Sequence, residues 1–213
     1  MNLWLRKRAP QVRKLDSAKL LVATHNGGKL EEISALLDPY GISVSGAAEH
    51  NLDEPPETGT SFAENGRIKA HTAAVATGLP ALADDSGLEI EALAGAPGVY
   101  TADWAETPSG RDFALAMSRA HDWLARTGIA PPWRARFCCT LVVAWPDGED
   151  SVFTGTVDGQ IVWPMRGLNG HGYDPIFLPD GYDQTFGQMD RWEKNRISHR
   201  ADALSKFVEG CLD

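Results

Sequence analysis

Lys19-Leu-Leu-Val-Ala-Thr-His-Asn-Gly-Gly-Lys29, with Leu30, Ile33, Leu36 and Leu37 following at helical spacing, reads as strand, loop and helix. Pro39 and Gly41 end the helical pattern, and Ile42-Ser-Val-Ser45 reads as a second short strand. A Pro/Glu-rich loop over about 53–59 leads to a helix from Ser61 to Thr77, which Ser61 and Glu64 open as an S-x-x-E capping box. Ala81–Asp84 is the next apolar run, and it is expected to stop where Asp84-Asp85-Ser86-Gly87 makes an acidic turn. Phe113, Leu115, Ala116 and Leu124 mark a helix over about 109–126. Arg136–Trp145 and Ser151–Val162 read as strands joined by the hairpin turn Pro146-Asp-Gly-Glu149, and a last amphipathic helix runs from Asp202. An early β-α-β unit followed by an antiparallel ribbon predicts an α/β fold, a mixed sheet flanked by helices. Residues 19–213 are expected to form one domain, and residues 1–18 a basic, poorly ordered tail.

The bulk numbers exclude several classes. A chain of 213 residues, 43% hydrophobic and 23% charged, can bury a sizeable core. No run approaches the roughly 18 apolar residues of a membrane span. A net charge of −9 disfavours nonspecific binding to nucleic acid or to an anionic membrane, so neither is expected as a partner. An anionic substrate then needs a local pocket of cations, backbone N–H groups or a bound metal. Cys138, Cys139 and Cys211 lack both a disulfide framework and zinc spacing, and they read as small core residues in a reducing compartment. Arg6, Lys7, Arg8, Arg13, Lys14 and Lys19 precede no apolar signal core, so the expected location is the cytoplasm; a transit-like tail is the alternative.

Five polar clusters carry the chemistry. In Thr24-His-Asn-Gly-Gly-Lys29, glycines let backbone N–H groups approach an anion at a helix N-terminus, and Lys29 adds a full charge. A Gly-rich turn that merely caps the helix fits equally. It is not a Walker A loop, since Ala23 stands where the first Gly belongs and Leu30 follows Lys29. On the helix from Ser61, Asn65 and Lys69 share a face, while Glu64 can be only the reciprocal half of the capping box. Glu57, in the preceding loop, either joins an aspartate on a metal ion or is a solvated loop acid. Asp84 and Asp85 leave an extended strand on opposite faces, which makes one of them a metal ligand and leaves the other for hydrogen bonding. In Gly170-His-Gly-Tyr-Asp-Pro175, Tyr173 offers a stacking face and Asp174 an acceptor, or Tyr173 is a core residue in a turn. Lys194 and Ser198-His-Arg200 bring donors to the start of the last helix, where Ser198 also suits an N-cap.

Together and in this order, these motifs resemble the inosine/xanthosine triphosphate pyrophosphatases, the Ham1-like non-canonical purine nucleoside triphosphate pyrophosphatases, from about Leu20 to Leu204. Thr58-Gly-Thr-Ser-Phe-Ala-Glu-Asn65 and Gly95-Ala-Pro-Gly98 extend the match. The resemblance implies an elongated, two-lobed fold with a central substrate groove, usually a homodimer. It implies Mg²⁺, with Mn²⁺ as a substitute, and hydrolysis of ITP, dITP and XTP to the monophosphate and pyrophosphate. By position, Thr24, His25, Asn26, Gly27, Gly28, Lys29, Asn65, Lys69 and Ser86 would contact substrate, chiefly its phosphates. Asp85 would be the catalytic carboxylate, with Lys69 beside it, and Asp85 and Glu57 would hold the metal. His171, Gly172, Tyr173 and Asp174 would frame the base, with Lys194, His199 and Arg200 recognising it. His171 stands where the family usually has Phe. Two alternatives share these motifs: a pyrophosphatase for other modified nucleotides, and a nucleotide-binding regulator without catalysis.

Overall fold

The computed structural model describes residues 12–212. In chain order these form β1 (Lys19–Val22), α1 (Gly27–Leu37), β2 (Ser43–Gly46), α2 (Phe62–Thr77) and β3 (Ala81–Ile90). A two-stranded ribbon follows, β4 (Glu106–Thr107) and β5 (Gly110–Arg111), then α3 (Phe113–Thr127), β6 (Trp133–Ala144) and β7 (Asp150–Ile161). The chain ends in β8 (Phe177–Pro179), α4 (Arg191–Ile197) and α5 (His199–Cys211). The main sheet has the order β2-β1-β3-β6-β7-β8. β1 runs parallel to β2 and β3, and every later pairing is antiparallel, so the sheet is mixed.

Side-chain alternation along short strands divides the core. Leu20 and Val22 face Ile33 and Leu37 of α1 and Phe207 of α5, whereas Leu21 faces Ala70, Ala73 and Ala74 of α2. Alanines let α2 lie close to the sheet, and a Cβ at Gly66 would sit 2.7 Å from Val142. A separate cluster gathers Leu88, Ile90 and Phe137 with Met117 and Leu124 of α3 and with Phe177 and Phe186. Full burial of a Leu, Ile or Phe is worth about 1.5–3 kcal/mol, so each cluster stabilises its own end of the sheet. The long strands β3 and β6 run from one cluster into the other.

The acidic turn expected after Ala81–Asp84 does not exist. β3 continues to Ile90, because Asp84 pairs with Leu141, Asp85 with Thr140, Ser86 with Cys139 and Gly87 with Cys138 in an unbroken antiparallel ladder. That ladder satisfies the backbone polar groups through the acidic residues. Gly87 is required there: a Cβ would collide with the Gly98 carbonyl and lie 2.7 Å from the Phe62 ring. The expected helix over 109–126 starts later, at Phe113, since its first residues belong to the ribbon. The last helix starts earlier, at His199, with the Ser198 hydroxyl accepting from the Ala201 N–H at 3.2 Å. Ser61 also caps as expected, accepting from the Glu64 N–H at 3.2 Å, but Glu64 turns to the Thr60 N–H, at 2.7 Å, instead of closing the box.

Residues 1–11 of the expected tail lie outside the described residues. Residues 12–18 dock on the domain: Leu15 is buried and its N–H donates to the Cys211 carbonyl at 2.8 Å. Arg13 bridges Asp147 and Glu149 at 2.6 and 2.9 Å and lies over the Trp145 ring. All three cysteines are free and buried. Among the described residues no helix is long and apolar enough to cross a membrane.

Candidate active site

Asp84 and Asp85 sit midway along β3, between the two core clusters, and project from opposite faces. Asp84 points into a saturated hub. Its carboxylate accepts from the Lys29 ammonium, from Arg200 Nε at 3.0 Å, from Ser86 Oγ at 3.0 Å and from the Cys139 thiol at 3.1 Å. Burial alone would raise the carboxyl pKa, but the Arg200 guanidinium and the Lys29 ammonium hold it well below the usual range. Arg200 donates on its other side to Glu32 Oε2 at 2.8 Å. Glu32 in turn faces Asn195, whose side-chain amide, in the orientation that satisfies both its ends, donates to Glu32 Oε1 at 3.1 Å.

Asp85 faces an open cleft of about 650 Å³ lined by Thr24, His25, Asn26, Lys29, Glu54, Glu57, Lys69, Asp84, Ser86, Asp103 and Arg111 among others. Lys69 donates to Asp85 Oδ1 at 3.0 Å, to Glu57 Oε1 at 2.8 Å and to the Asp84 carbonyl at 2.9 Å. Burial raises the Asp85 pKa and Lys69 opposes without cancelling it. The Lys69 ammonium, which burial alone would weaken, is raised by Asp85 and Glu57 and stays charged. Asp85 Oδ2 is buried with no hydrogen-bond partner.

That orphaned oxygen, beside Glu57, fits a divalent cation. With Lys29 paired to Asp84, Glu54, Glu57, Asp85 and Asp103 outnumber Lys69 and Arg111 on the cleft wall, so a polyanion needs added positive charge to bind there. Among the described residues no group of three or more His, Cys, Asp or Glu is arranged around a metal position. Asp85 and Glu57 therefore suit an ion that completes its shell with water and phosphate oxygens.

Of the two readings open for the loop before α1, the helix cap is the one realised. Asn26 caps the helix, and its Oδ1 accepts from the N–H groups of Gly28 and Lys29 at 3.0 and 3.2 Å. Two of the N–H groups expected to cradle an anion are thus already engaged. His25 Nε2 lies 2.8 Å from the Leu52 carbonyl. Gly27 has open space around its missing side chain. Gly28 lines a second pocket of about 470 Å³ with Glu32, His171, Phe186, Lys194 and Asn195, while its neighbours Asn26 and Lys29 line the cleft. His171 leans over this loop, its Nε2 3.5 Å from where a Cβ at Gly28 would stand.

Several expected contact residues lie behind these surfaces. Tyr173 is 1% exposed, its hydroxyl donates to the Thr101 carbonyl at 3.3 Å, and Phe113 packs edge-on to its ring. It is a core residue and presents no open stacking face. Asp174 is buried, accepting from the His171 N–H at 2.6 Å and from Lys194 at 2.5 Å; it shapes the turn and holds the lysine. Gly172 adopts φ +64°, the left-handed region that favours glycine. Asn65 is buried and accepts from the Gly59 N–H at 2.8 Å, so it pins the loop that carries Glu57 and does not line the cleft. His199 is buried and stacked on Phe137, with ring centroids 4.9 Å apart. Burial, then the Arg200 and Lys194 charges, push its pKa well below the ordinary histidine value, and it is neutral. Arg200, engaged on both sides, is a strut between the hub and Glu32.

Glu32, Cys139 and Arg111 belong to none of the five motifs. Glu32 carried a usable signal, since it lies three residues after Lys29 on one face of α1. Cys139 and Arg111 carried none.

Residues 20–210 match the model of the Ham1 family, and the chain belongs to that family. It is 64% identical over 200 residues to a dITP/XTP pyrophosphatase of Ruegeria pomeroyi, covering 94% of this chain and 98% of the relative. A dITP/XTP pyrophosphatase of Agrobacterium fabrum is 55% identical over 95% of this chain and all of its own. Among solved structures, a HAM1 protein from Coxiella burnetii superposes with a TM-score of 0.84 at 36% identity, over 90% of this chain and 96% of that one.

Proposed function

We propose that the protein hydrolyses non-canonical purine nucleoside triphosphates, ITP, dITP and XTP, to the monophosphate and pyrophosphate. The observation that carries this reading is Asp85: a buried carboxylate with one oxygen unpartnered, bracketed by Lys69 and Glu57 in a cleft whose loop residues Asn26 and Lys29 flank Gly28 of a second pocket. The dITP/XTP pyrophosphatase names of the Ruegeria and Agrobacterium relatives support it.

Lys29 and Lys69 place positive charge beside the phosphate chain, and such positioning and charge neutralisation is most of phosphoryl-transfer catalysis. Asp85, with a raised pKa, is a competent acceptor for the proton of the attacking water, and Lys69 fixes its carboxylate plane. Asp85 and Glu57 would hold Mg²⁺, with Mn²⁺ able to replace it, and the ion would neutralise charge on the leaving pyrophosphate and acidify water. In the second pocket, Lys194 offers a donor to the 6-keto group shared by hypoxanthine and xanthine. Adenine's amine leaves such a donor unpaired, at a cost of about 1–3 kcal/mol. The working form is a homodimer in the cytoplasm.

The test is pyrophosphate release from ITP, XTP, GTP and ATP in the presence of Mg²⁺. ITP and XTP should exceed ATP and GTP in kcat/KM by about 10-fold or more. Equal rates on all four, or turnover confined to pyrimidine nucleotides, would overturn the reading.

A further inference from the structure

One cation of the cleft, Arg111, has no part in the chemistry above. It is the second residue of β5, paired across the ribbon with Glu106 of β4. Its Nε donates to Glu106 Oε1 at 2.7 Å, and neither terminal nitrogen carries a hydrogen bond among the described residues. Its neighbour Asp112 fixes the backbone: the Asp112 N–H donates to the Ala105 carbonyl at 2.7 Å, and Asp112 Oδ1 caps α3 through the Leu115 N–H at 3.0 Å. The other two cleft cations are committed, Lys29 to Asp84 and Lys69 to three acceptors. They come from α1 and α2, whereas Arg111 comes from the ribbon that leads into α3.

We infer that Arg111 is a further substrate-binding residue, which takes the pyrophosphate end of the nucleoside triphosphate through its two terminal nitrogens. The inference rests on the triphosphate reading of the cleft. Arg111 lines the cleft with Asp85 and Glu57 and does not line the second pocket, so it lies with the reacting and leaving phosphates and away from the base. A guanidinium offers paired donors that match two phosphate oxygens, geometry that a lysine cannot supply. Glu106, held by Nε alone, orients the fork and leaves its outer edge for the ligand. Glu106 first, and Glu54 and Glu57 at longer range, raise the guanidinium pKa, so the charge is permanent.

The experiment compares inhibition by inorganic pyrophosphate and by IMP during ITP hydrolysis. For Arg111→Ala, KM for ITP and the inhibition constant of pyrophosphate should each rise about 10-fold, while the constant for IMP stays within about 2-fold. Arg111→Lys should fall between wild type and Arg111→Ala. Glu106→Gln should change pyrophosphate inhibition and leave IMP inhibition alone. An unchanged pyrophosphate constant in Arg111→Ala, or equal rises for pyrophosphate and IMP, would overturn the assignment. If the wild-type protein releases no pyrophosphate from ITP, the triphosphate reading is what fails. Calorimetric titration of inorganic pyrophosphate into wild type and Arg111→Ala then decides the role of Arg111 separately: weaker binding by the variant sustains it, and equal binding ends it. Because Arg111 is exposed, a folded variant is expected; should Arg111→Ala not fold, Arg111→Lys and Glu106→Gln carry the same comparison.

Discussion

Two carboxylates one residue apart on β3 live in opposite environments. Asp84 faces inward and meets Lys29, Arg200, Ser86 and Cys139, which together hold its pKa down. Asp85 faces the cleft, meets Lys69 alone, and keeps an unpartnered oxygen with its pKa pushed up. Strand alternation produces this contrast from identical side chains. It teaches that a saturated acid builds a site, whereas an undersupplied acid beside it is left able to take a proton or a metal ion.

The sharpest way to break the comparison is substitution at the cleft-facing acid. Asp85→Asn should lower kcat by about 10²–10⁴-fold, since it removes the proposed general base and metal ligand together. Its melting temperature should stay near wild type, because Lys69 keeps Glu57 and the Asp84 carbonyl as partners. Pyrophosphate-release kinetics and a thermal melt on the same sample check both halves. Retained turnover in this variant would show that the inward-facing acid had been misread as structural.

Asp84→Asn should act on stability as well as on rate. It leaves the buried Arg200 with Glu32 as its one remaining carboxylate, and breaking a buried pair costs up to about 3–5 kcal/mol. Urea denaturation measures the loss. Asp84 has a depressed folded-state pKa, so its contribution is fully present above the ordinary carboxylate value and disappears as pH falls through the folded-state value. The stability gap between wild type and Asp84→Asn should therefore be flat near neutral pH and close only under strongly acidic conditions.

The smallest effect concerns His199, which lies next to Arg200 on the inward side. Its folded-state pKa is lowered, first by burial and then by Arg200 and Lys194, so below about pH 6.5 the unfolded chain binds a proton that the folded chain refuses. Stability should fall with a slope of up to about 1.4 kcal/mol per pH unit below that value, and His199→Gln should remove this slope. Denaturation midpoints between pH 5 and 7 decide it.

Much of the fold was legible in the chain. The strand–loop–helix opening at Lys19–Leu37, the helix capped by Ser61 and the hairpin around Pro146–Glu149 all carry local periodicity and turn chemistry. α4 was not legible, because Arg191–Ile197 buries no residue and has no apolar stripe to announce it. The end of β3 was misread for a related reason. Polarity at Asp84-Asp85 looks like a turn unless the cations that neutralise it are known, and these come from α1, α2 and α5.

The candidate site divides along the same line. Lys29, Lys69, Asp85, Ser86 and Glu57 meet in one cleft as their motifs imply. Tyr173, Asn65, His199 and Arg200 belong to the same motifs yet lie beneath the surface, as packing, pin, stack and strut. Sequence order and residue type cannot separate a side chain that touches a ligand from one that holds its neighbour.

By itself, then, the amino-acid sequence determined the local elements, the acidic pair on alternate faces of a strand and the family to which the motifs belong. These depend on neighbours a few residues away. Only the tertiary structure decided which aspartate is saturated and which is left open, because the deciding charges, Lys29, Lys69 and Arg200, come from distant parts of the chain. Coulombic and hydrogen-bond energies act through distance in space, and the fold alone sets that distance.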